Sequence, residues 1–551
     1  MKRSILILLL LVSITSILVM GGNIKYGGVA VLGLSSGLST LNYNPFSPAR
    51  LFGVFLIYEP LLNVNVLTGE VKPWLAESYE WRNNYLELVF YLRKDVKWSD
   101  GVPFTAKDVE FTFKLLKEHS ELSAGAILGV GLWSTGLKDV VAVDDYTVVF
   151  EFSKPSVPTF FYIVTTFIVP EHIWSKVDDP AKFTNPNPVG TGPFIFKNFD
   201  SANGVETFAK NPNYWQKGKP YIDGVKIRNF KSNEANIMAI IKGETDWSST
   251  FIPDVNKVFI SRNPKVNHAW VTQGAMVSFI PNVTKYPLNI AKFRLAIAMA
   301  LDKEKIAKYG EYGYTPPAHP TGLRIPLLKK WFDKSLEPLL YSYNPEKAVE
   351  LIESLGFERN AEGWFINPKT GEPLSFDLYV VSGWTDWVQS AQIIEDNLKK
   401  IGIKLNVKQV AYGQYASALY TGTFDFIFYG PAIGLNPYYE YRPVLYSKLT
   451  APIGENAAGN FGRWIDPVTD AMFEIFERTT DEAVQKRAMS VIEKIMLTEV
   501  PVIPMFYTPV PELYTTRRFV GWPSEENPYN AGLCPWLPMT ILTTFLNIHL
   551  K

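Results

Sequence analysis

Two stretches of the sequence place flat aromatic side chains beside amide and carboxyl groups. The first, 382–387, reads SGWTDW, and the second, 430–441, reads GPAIGLNPYYEY and directly follows a tyrosine. Aromatic rings stack on the apolar faces of sugar rings, while amide and carboxyl groups hydrogen-bond hydroxyls. The pattern therefore favours the binding of a neutral sugar. The predicted ligand contacts are Trp384, Asp386, Trp387, Tyr429, Asn436, Tyr438 and Tyr439.

Alternating strands and helices are predicted around these two stretches. The predicted strands are 375–381, 404–410 and 424–429, and the predicted helices are 386–400 and 414–421. Such alternation is typical of an α/β layer with parallel strand pairs. In parallel sheets ligands bind beyond the carboxyl ends of the strands. Both aromatic stretches are therefore expected at one ligand-binding edge.

The overall composition argues against several classes of function. The 54 basic and 54 acidic residues of the 551 cancel, so no basic excess suggests nucleic acid as a partner. A single cysteine, Cys534, rules out an intrachain disulfide, and the five histidines include no pair at ligand spacing. We therefore expect no metal and no cofactor. The low count of seven glutamines favours a thermophilic source.

The first 22 residues are typical of a secretory signal peptide. Lys2 and Arg3 precede an apolar run, and Gly21 and Gly22 follow it. An uncleaved anchor is the alternative, although the run is short for a membrane-spanning helix. No cysteine lies near the cleavage region for lipid attachment, so the mature protein is expected to be free in the periplasm.

The stretch 95–114, DVKWSDGVPFTAKDVEFTFK, combines a turn with a capped helix. Asp100 and Gly101 form a turn signal. Thr105 with Asp108 fits the Ser/Thr-x-x-acid pattern that starts a helix. The sequence of the whole stretch closely resembles the signature of the oligopeptide-type periplasmic solute-binding proteins. Members of that family feed ABC importers for peptides, nickel or oligosaccharides.

Four further stretches match the same family in the same order along the chain. They are 189–194 (VGTGPF), 211–215 (NPNYW), 281–306 and 491–507. The resemblance thus runs from near residue 25 to near residue 522 and leaves the tail 523–551 outside it. It implies an α/β, two-lobed periplasmic binding protein fold with an extra inserted domain, a hinge between the lobes and ligand enclosed between them.

The resemblance also implies a division of the chain. Lobe 1 is expected to combine residues 23–50, 181–275 and 506–551. Residues 51–180 are expected to form the inserted domain, and residues 276–505 are expected to form lobe 2. The chain would then cross between the lobes near 275 and again near 505.

Two further segments lie along the ligand cleft in the resembled family. One is the loop after the first strand, which holds Asn42, Asn44 and Phe46. The other is 455–464 (ENAAGNFGRW), which holds Asn460, Arg463 and Trp464. All six are predicted ligand contacts, although the two asparagines of the first loop also fit Asx turns that satisfy their own backbone.

The ligand class has to come from the cleft residues, since the family binds several. A peptide binder pairs the buried α-amine with a carboxylate, in many family members an aspartate just after the strand equivalent to 424–429. Here 430–436 contains no acid, although Asp386 or Glu440 could substitute. We therefore expect an oligosaccharide, of β-linked gluco- or manno- type, with an oligopeptide as the alternative.

The resemblance implies a protein that performs no chemistry on its ligand. We expect a solute-binding component that acts as a monomer, has no catalytic residue and delivers its ligand to ABC permease subunits in the membrane. A secreted glycosidase that uses two carboxylates is the alternative of a different class, because 54 acidic residues offer many pairs.

Overall fold

The computed structural model describes residues 24–35, 40–47, 49–119, 121–122, 135–431, 433–532 and 538–551. The predicted signal peptide 1–22 and Cys534 lie outside these residues. Within the described part, no helix combines the length and the apolar character that crossing a membrane requires.

Strands and helices alternate along the chain and are numbered here in chain order. The strands are β1 (Val29–Leu34), β2 (Leu62–Asn65), β3 (Glu70–Pro73), β4 (Ala76–Arg82), β5 (Glu87–Leu92), β6 (Leu137–Asp144), β7 (Thr147–Phe152), β8 (Phe194–Asp200), β9 (Val205–Lys210), β10 (Gly224–Asn229), β11 (Trp247–Ser249), β12 (Asn267–Pro281), β13 (Ser375–Val381), β14 (Lys404–Val410), β15 (Phe426–Tyr429), β16 (Ile503–Thr515), β17 (Phe519–Val520) and β18 (His549–Leu550). The α-helices are α1 (Val54–Ile57), α2 (Ala106–Glu118), α3 (Thr159–Thr165), α4 (Glu171–Trp174), α5 (Asn233–Lys242), α6 (Val255–Val258), α7 (Ala291–Ala300), α8 (Lys303–Lys305), α9 (Pro345–Glu353), α10 (Thr385–Lys400), α11 (Tyr412–Thr421), α12 (Pro437–Leu445), α13 (Pro467–Glu477), α14 (Glu482–Thr498) and α15 (Pro538–Asn547). Short 3₁₀ segments cover Ile260–Arg262, Lys329–Trp331, Lys334–Leu339 and Ser447–Leu449, and a π-helical turn covers Ile306–Gly310.

A ten-stranded mixed sheet runs through the molecule in the order β14-β13-β15-β12-β16-β11-β1-β10-β9-β8. β13 lies parallel to both β14 and β15, which confirms the parallel layer predicted from the alternating strands and helices. β1 likewise lies parallel to β10 and β11. The sheet therefore contains two parallel groups, separated by β12 and β16.

The antiparallel pair β12 and β16, which we call the central ribbon, joins these two groups. Its pairing is irregular between Gln273 and Met276 and again between Val277 and Ser278. Met276 lies opposite Tyr507 in the ladder. The two crossings predicted near 275 and 505 therefore fall beside each other, at an irregular part of one ribbon.

The segment 51–180, which we call the insert, has a sheet of its own with the strand order β4-β5-β7-β6. Its helix α2 begins directly after Thr105, as the capping pattern predicts. The buried carboxylate of Asp108 accepts hydrogen bonds from the backbone N–H of Thr105 at 2.9 Å and of Glu171 at 3.0 Å, and from the indole of Trp98 at 3.3 Å. One side chain thus ties the start of α2 to the preceding turn and to α4.

The tail that lies outside the family resemblance is part of the packed structure. β18 pairs with β17, and the Lys25 ammonium donates to the backbone carbonyl of Lys551 at 2.8 Å. Ile541, Phe545 and Ile548 are buried in the core that also holds β1 and β10. The described end of the chain therefore closes onto the strand group that begins with β1.

Candidate functional site

Aromatic residues gather where the parallel strands β13, β14 and β15 end. Trp384 and Tyr412 lie just beyond β13 and β14, and Tyr429 is the last residue of β15. The ring centroid of Trp384 lies 4.9 Å from that of Trp387 and 6.0 Å from that of Tyr412. With Tyr420 near the end of α11, these residues form a surface that we call the aromatic face. Its members are Trp384, Trp387, Tyr412, Tyr420 and Tyr429.

Three rings of the aromatic face are open to solvent. Trp384 is 38% exposed, Tyr412 59% and Tyr420 42%. Tyr412 and Tyr420 are eight positions apart on α11, which corresponds to about 12 Å along the helix axis. Large rings are usually buried, as Trp98 and Trp247 are in this molecule. The adjacent exposed rings of Trp384 and Tyr412 are therefore a candidate for ligand contact. Tyr420 lies farther along α11, where its ring packs on Phe461.

Tyr412 and Tyr420 are not among the contacts predicted from the sequence. The helix predicted over 414–421 begins at Tyr412 in the structure, so Tyr412 was counted as part of a connection. A usable signal was present, because the tyrosines of 411–420 (AYGQYASALY) directly follow a predicted parallel strand. The strand-end rule that selected 382–387 selects this stretch as well.

Buried groups hold the aromatic face in place from beneath. The hydroxyl of Tyr415 donates to the backbone carbonyl of Phe428 at 2.6 Å, which ties α11 to β15. The buried ring of Phe461 lies 5.6 Å from the ring of Tyr420 and 4.9 Å from that of Tyr429, between centroids. Burial raises the pKa of Tyr429 to about 12, so its hydroxyl stays protonated and can donate a hydrogen bond.

The segment 455–464 supports the aromatic face and does not extend it. The Asn460 amide pairs with the backbone N–H and carbonyl of Trp464, at 3.0 and 2.6 Å. The buried Arg463 guanidinium donates to the backbone carbonyl of Tyr420 at 2.8 Å, where it also meets the negative end of the α11 dipole. The guanidinium of Arg294 lies 5.6 Å from the Trp464 ring centroid. Trp464 thus packs on α7 and is not brought to the aromatic face.

The aromatic face looks toward the middle of the central ribbon. Along β15, the paired residue of β12 changes from Pro281 to Ser278, so the carboxyl end of β15 points toward the irregular part of the ribbon. Along β11, the paired residue of β16 changes from Tyr514 to Leu513, so β11 points toward the same part from the other side. The carboxyl ends of both parallel strand groups therefore converge on the middle of the ribbon, and ligands bind beyond such ends.

One acid of the predicted set, Asp386, lies beside the aromatic face in the first turn of α10. Burial raises the pKa of Asp386. Burial and the charge of Asp386 raise the pKa of Glu311 to about 8, and Glu311 accepts a hydrogen bond from Ser390 at 3.1 Å. The described residues contain no group of three His, Cys, Asp or Glu side chains that could hold a metal ion.

Two of the three predicted contacts in the loop after β1 are buried. Asn44 is fully buried, and its amide donates to the carbonyls of Pro180 and Phe183, each at 2.9 Å. Phe46 is buried against Trp174, with ring centroids 5.8 Å apart. The expectation of ligand contact is corrected for both residues, because their side chains are used inside the fold. Asn42 is half-buried, and its amide donates to Ser47 at 3.0 Å.

Part of the second aromatic stretch is helical: residues 437–441 belong to α12. The prediction from the sequence treated all of 430–441 as a loop. Asn436 caps α12 by accepting the N–H of Tyr438 at 3.1 Å, and the Asn-Pro pair is a helix start signal that the sequence did offer. Tyr438 is buried and donates to Glu477 at 2.6 Å. Tyr439 is buried and donates to the carbonyl of Pro158 in the insert at 2.8 Å. Both tyrosines are therefore corrected to packing residues.

Glu440, the other acid that could replace the peptide-binding aspartate, is also used inside the fold. It forms a buried ion pair with the guanidinium of Arg324. Arg324 also donates to the backbone carbonyl of Gly434 at 3.0 Å. A second cation at Glu440 would have to displace this buried partner, which is costly. Asp386 remains as the acid beside the aromatic face.

Comparison with known proteins gives a consistent picture of the fold. The family model of the bacterial extracellular solute-binding proteins, family 5 (middle region), matches residues 70–451. A periplasmic oligopeptide-binding protein of an ABC transporter from Thermotoga maritima has a TM-score of 0.86 at 30% identity, over 95% of this chain and 99% of its own. Its mannohexaose-bound structure has a TM-score of 0.80 at 30% identity, over 95% and 98%. A probable ABC transporter-binding protein from Deinococcus radiodurans is 25% identical over 72% of this chain and 71% of its own. The predicted periplasmic binding protein fold is confirmed.

Proposed function

The chain belongs to family 5 of the bacterial extracellular solute-binding proteins, and on that premise we propose that it captures a neutral oligosaccharide for an ABC importer. The proposed ligand is a β-linked gluco- or manno-oligosaccharide held between the two lobes. The protein would be exported after removal of its signal peptide, bind as a monomer in the periplasm and pass the intact ligand to the permease.

The observation that carries this proposal is the exposed aromatic face at strand ends that converge on the central ribbon. Its open rings, Trp384, Tyr412 and Tyr420, offer flat apolar surfaces suited to pyranose faces. The spacing of about 12 Å along α11 favours a ligand longer than a single ring. The mannohexaose complex of the Thermotoga maritima relative supports a sugar ligand for a protein of this fold.

An oligopeptide is the second candidate, since several relatives are named as peptide-binding proteins. A peptide ligand would need a carboxylate for its buried α-amine. Glu440 is already paired with Arg324, and 430–431 and 433–436 contain no acid. Asp386 would have to supply the charge, but burial raises its pKa and so weakens the charged form that an ammonium group needs. This balance favours the sugar.

Motion about the central ribbon would enclose the ligand. We place the hinge at Met276 and Tyr507, where the two predicted crossings lie opposite each other and the ladder is irregular. Ribbon irregularities bend strands and relax pairing locally. A ligand that contacts both lobes binds the closed form better and so shifts the population toward it.

Titration calorimetry tests the proposal directly. The protein is titrated with cellohexaose, mannohexaose and glycine-rich tripeptides under one buffer condition. Saturable binding of one of the sugars, with no heat from the peptides, is expected, and peptide binding alone would overturn the proposal. A reducing-end assay on the same mixtures should show no increase over time, whereas release of new reducing ends would favour the glycosidase alternative.

A further inference from the structure

A cavity of about 200 Å³ lies where the insert meets α12, α13 and α14. None of the five residues of the aromatic face lines it. Its walls come from β4 and the start of α3 on the insert side, and from the start of α12 and the α13–α14 region on the other side. The lining residues that matter here are Tyr79, Trp81, Pro158, Phe160, Asn436 and Tyr439.

The chemistry of this lining is aromatic and uncharged. The rings of Tyr79 and Phe160 lie 4.6 Å apart between centroids, and Trp81 continues the same wall. The polar groups are amides and hydroxyls, and no charged side chain lines the cavity. The indole of Trp81 and the side-chain amide of Asn436 belong to half-buried residues of the cavity wall. Flat rings beside amide and indole donors suit a neutral ring that carries hydroxyls.

The volume limits the size of the molecule that can enter. Pockets for drug-sized ligands run from about 300 to 1,000 Å³. A cavity of about 200 Å³ falls below that range and therefore has room for about one ring. The expected occupant is a monosaccharide.

The cavity lies within a contact between two parts of the molecule. The backbone N–H of Val157 donates to the carbonyl of Glu477 at 2.9 Å, and the hydroxyls of Tyr85 and Thr480 lie 3.0 Å apart. Tyr439, which lines the cavity, also bonds the insert through Pro158. A ring bound here would touch both sides of the contact and would add to the free energy that holds the insert against α12–α14.

We propose that this cavity, which we call the insert pocket, is a second ligand site that takes one neutral sugar ring. It is distinct from the aromatic face and binds independently of it. Tyr79 and Trp81 stack on the ring, and Asn436 donates to its hydroxyls. The choice of a sugar follows the same ring chemistry as the proposed function but comes from a different set of residues.

Calorimetry with D-mannose and D-glucose as probes tests the insert pocket. The wild type is compared with Trp81→Ala, Tyr79→Ala and Trp384→Ala, and thermal unfolding is measured for each. Tyr79 is 41% exposed, so Tyr79→Ala keeps the test valid if Trp81→Ala fails to fold. We expect a monosaccharide to bind the wild type and Trp384→Ala equally. We expect at least about tenfold weaker monosaccharide binding by the folded pocket variants, whose hexasaccharide affinity stays unchanged.

The outcomes separate this inference from the proposed function. Absence of monosaccharide binding to the wild type overturns the insert pocket, and so does monosaccharide binding that is lost in Trp384→Ala and retained in Tyr79→Ala. Hexasaccharide binding can persist in either case and leaves the proposed function standing. Monosaccharide binding that is lost in Tyr79→Ala supports the insert pocket. If in addition no oligosaccharide binds to the wild type, the proposed function is overturned and the insert pocket stands.

Discussion

At the scale of single residues, exposure separates the rings that we propose as contacts of the oligosaccharide from rings that pack inside the fold. Tyr438 and Tyr439 are buried, and their hydroxyls donate hydrogen bonds to Glu477 and to the carbonyl of Pro158, respectively. Trp384 and Tyr412 remain open just beyond the carboxyl ends of β13 and β14, and Tyr420 remains open near the end of α11. Leaving such large apolar surfaces in water forgoes the stability that burial would give, which is consistent with a surface kept for a partner molecule.

Removing one open ring should weaken ligand binding. We expect Trp384→Ala and Tyr412→Ala each to reduce oligosaccharide affinity by more than about 1 kcal/mol, because each loses a stacking surface. Trp464→Ala is the matched control, since Trp464 packs beside Arg294, away from the aromatic face. Calorimetry on the three variants measures this effect. Equal losses in all three, or none in the first two, would contradict the placement of the site.

A second residue-scale prediction concerns pH. The pKa of Glu311 is raised from 4.5 to about 8, mainly by burial and then by Asp386. Between these values the folded protein keeps a proton that the unfolded chain has released, so the free energy of unfolding falls as the pH rises, by up to about 1.4 kcal/mol per unit. Glu311→Gln stays neutral and removes this fall. The melting temperature of Glu311→Gln minus that of the wild type should therefore increase from pH 5 to pH 8. The prediction is wrong if this difference is the same at both pH values.

Sequence reasoning placed some of the candidate residues correctly in the fold for an identifiable reason. The strand-end rule depends only on local pattern and chain order, so it located Trp384, Trp387 and Tyr429 at the carboxyl ends of parallel strands; their contact with a ligand stays a prediction. The assignments that depended on tertiary burial were less successful. Nothing in the local sequence of Asn44 or Phe46 reveals that their side chains are enclosed by the segment near 180. Tyr412 was missed because a helix start was placed two residues late.

At the scale of elements, the alternating strands and helices of 375–429 were predicted nearly to the residue. β13 and β14 have the predicted bounds, and the remaining elements differ by one or two residues at their starts. Apolar periodicity was sufficient here because each element buries one face against its neighbours. The order of strands in the ten-stranded sheet was not predictable in this way, since it depends on contacts between distant parts of the chain.

The start of α2 offers an element-scale prediction. Asp108 is 4% exposed and accepts three N–H donors. Asp108→Ala leaves these donors without an acceptor, at about 1 kcal/mol or more each, so we expect a loss of at least about 3 kcal/mol in the free energy of unfolding. Asp95→Ala, at an exposed surface ion pair, should stay within about 0.5 kcal/mol of wild type. Urea denaturation compares the two variants, and similar midpoints would show that Asp108 does not fix the helix start.

At the scale of the whole molecule, the central ribbon relates the two parallel strand groups. Both groups direct their carboxyl ends toward its irregular middle, so the ligand-binding edges face one gap. This follows from register alone and needs no assumption about the ligand. The family resemblance predicts a cleft between lobes, and the strand directions give a physical reason to propose that the aromatic face lines it.

Closure of that gap is the whole-molecule prediction. Saturating oligosaccharide should decrease the radius of gyration measured by small-angle X-ray scattering, because bridging contacts favour the closed form. The Trp384→Ala, Tyr412→Ala double variant should show no decrease at the same sugar concentration. If the radius of gyration of the wild type is unchanged at an oligosaccharide concentration that saturates binding in calorimetry, the proposed hinge motion is wrong.

A crystal structure of the protein grown with mannohexaose or cellohexaose would show where an oligosaccharide binds. We expect a sugar chain between the strand groups, with pyranose faces stacked on Trp384 and Tyr412 and the chain extending toward Tyr420. A peptide in the gap with its α-amine on Asp386, or a sugar bound elsewhere while these three rings stay in solvent, would contradict this expectation.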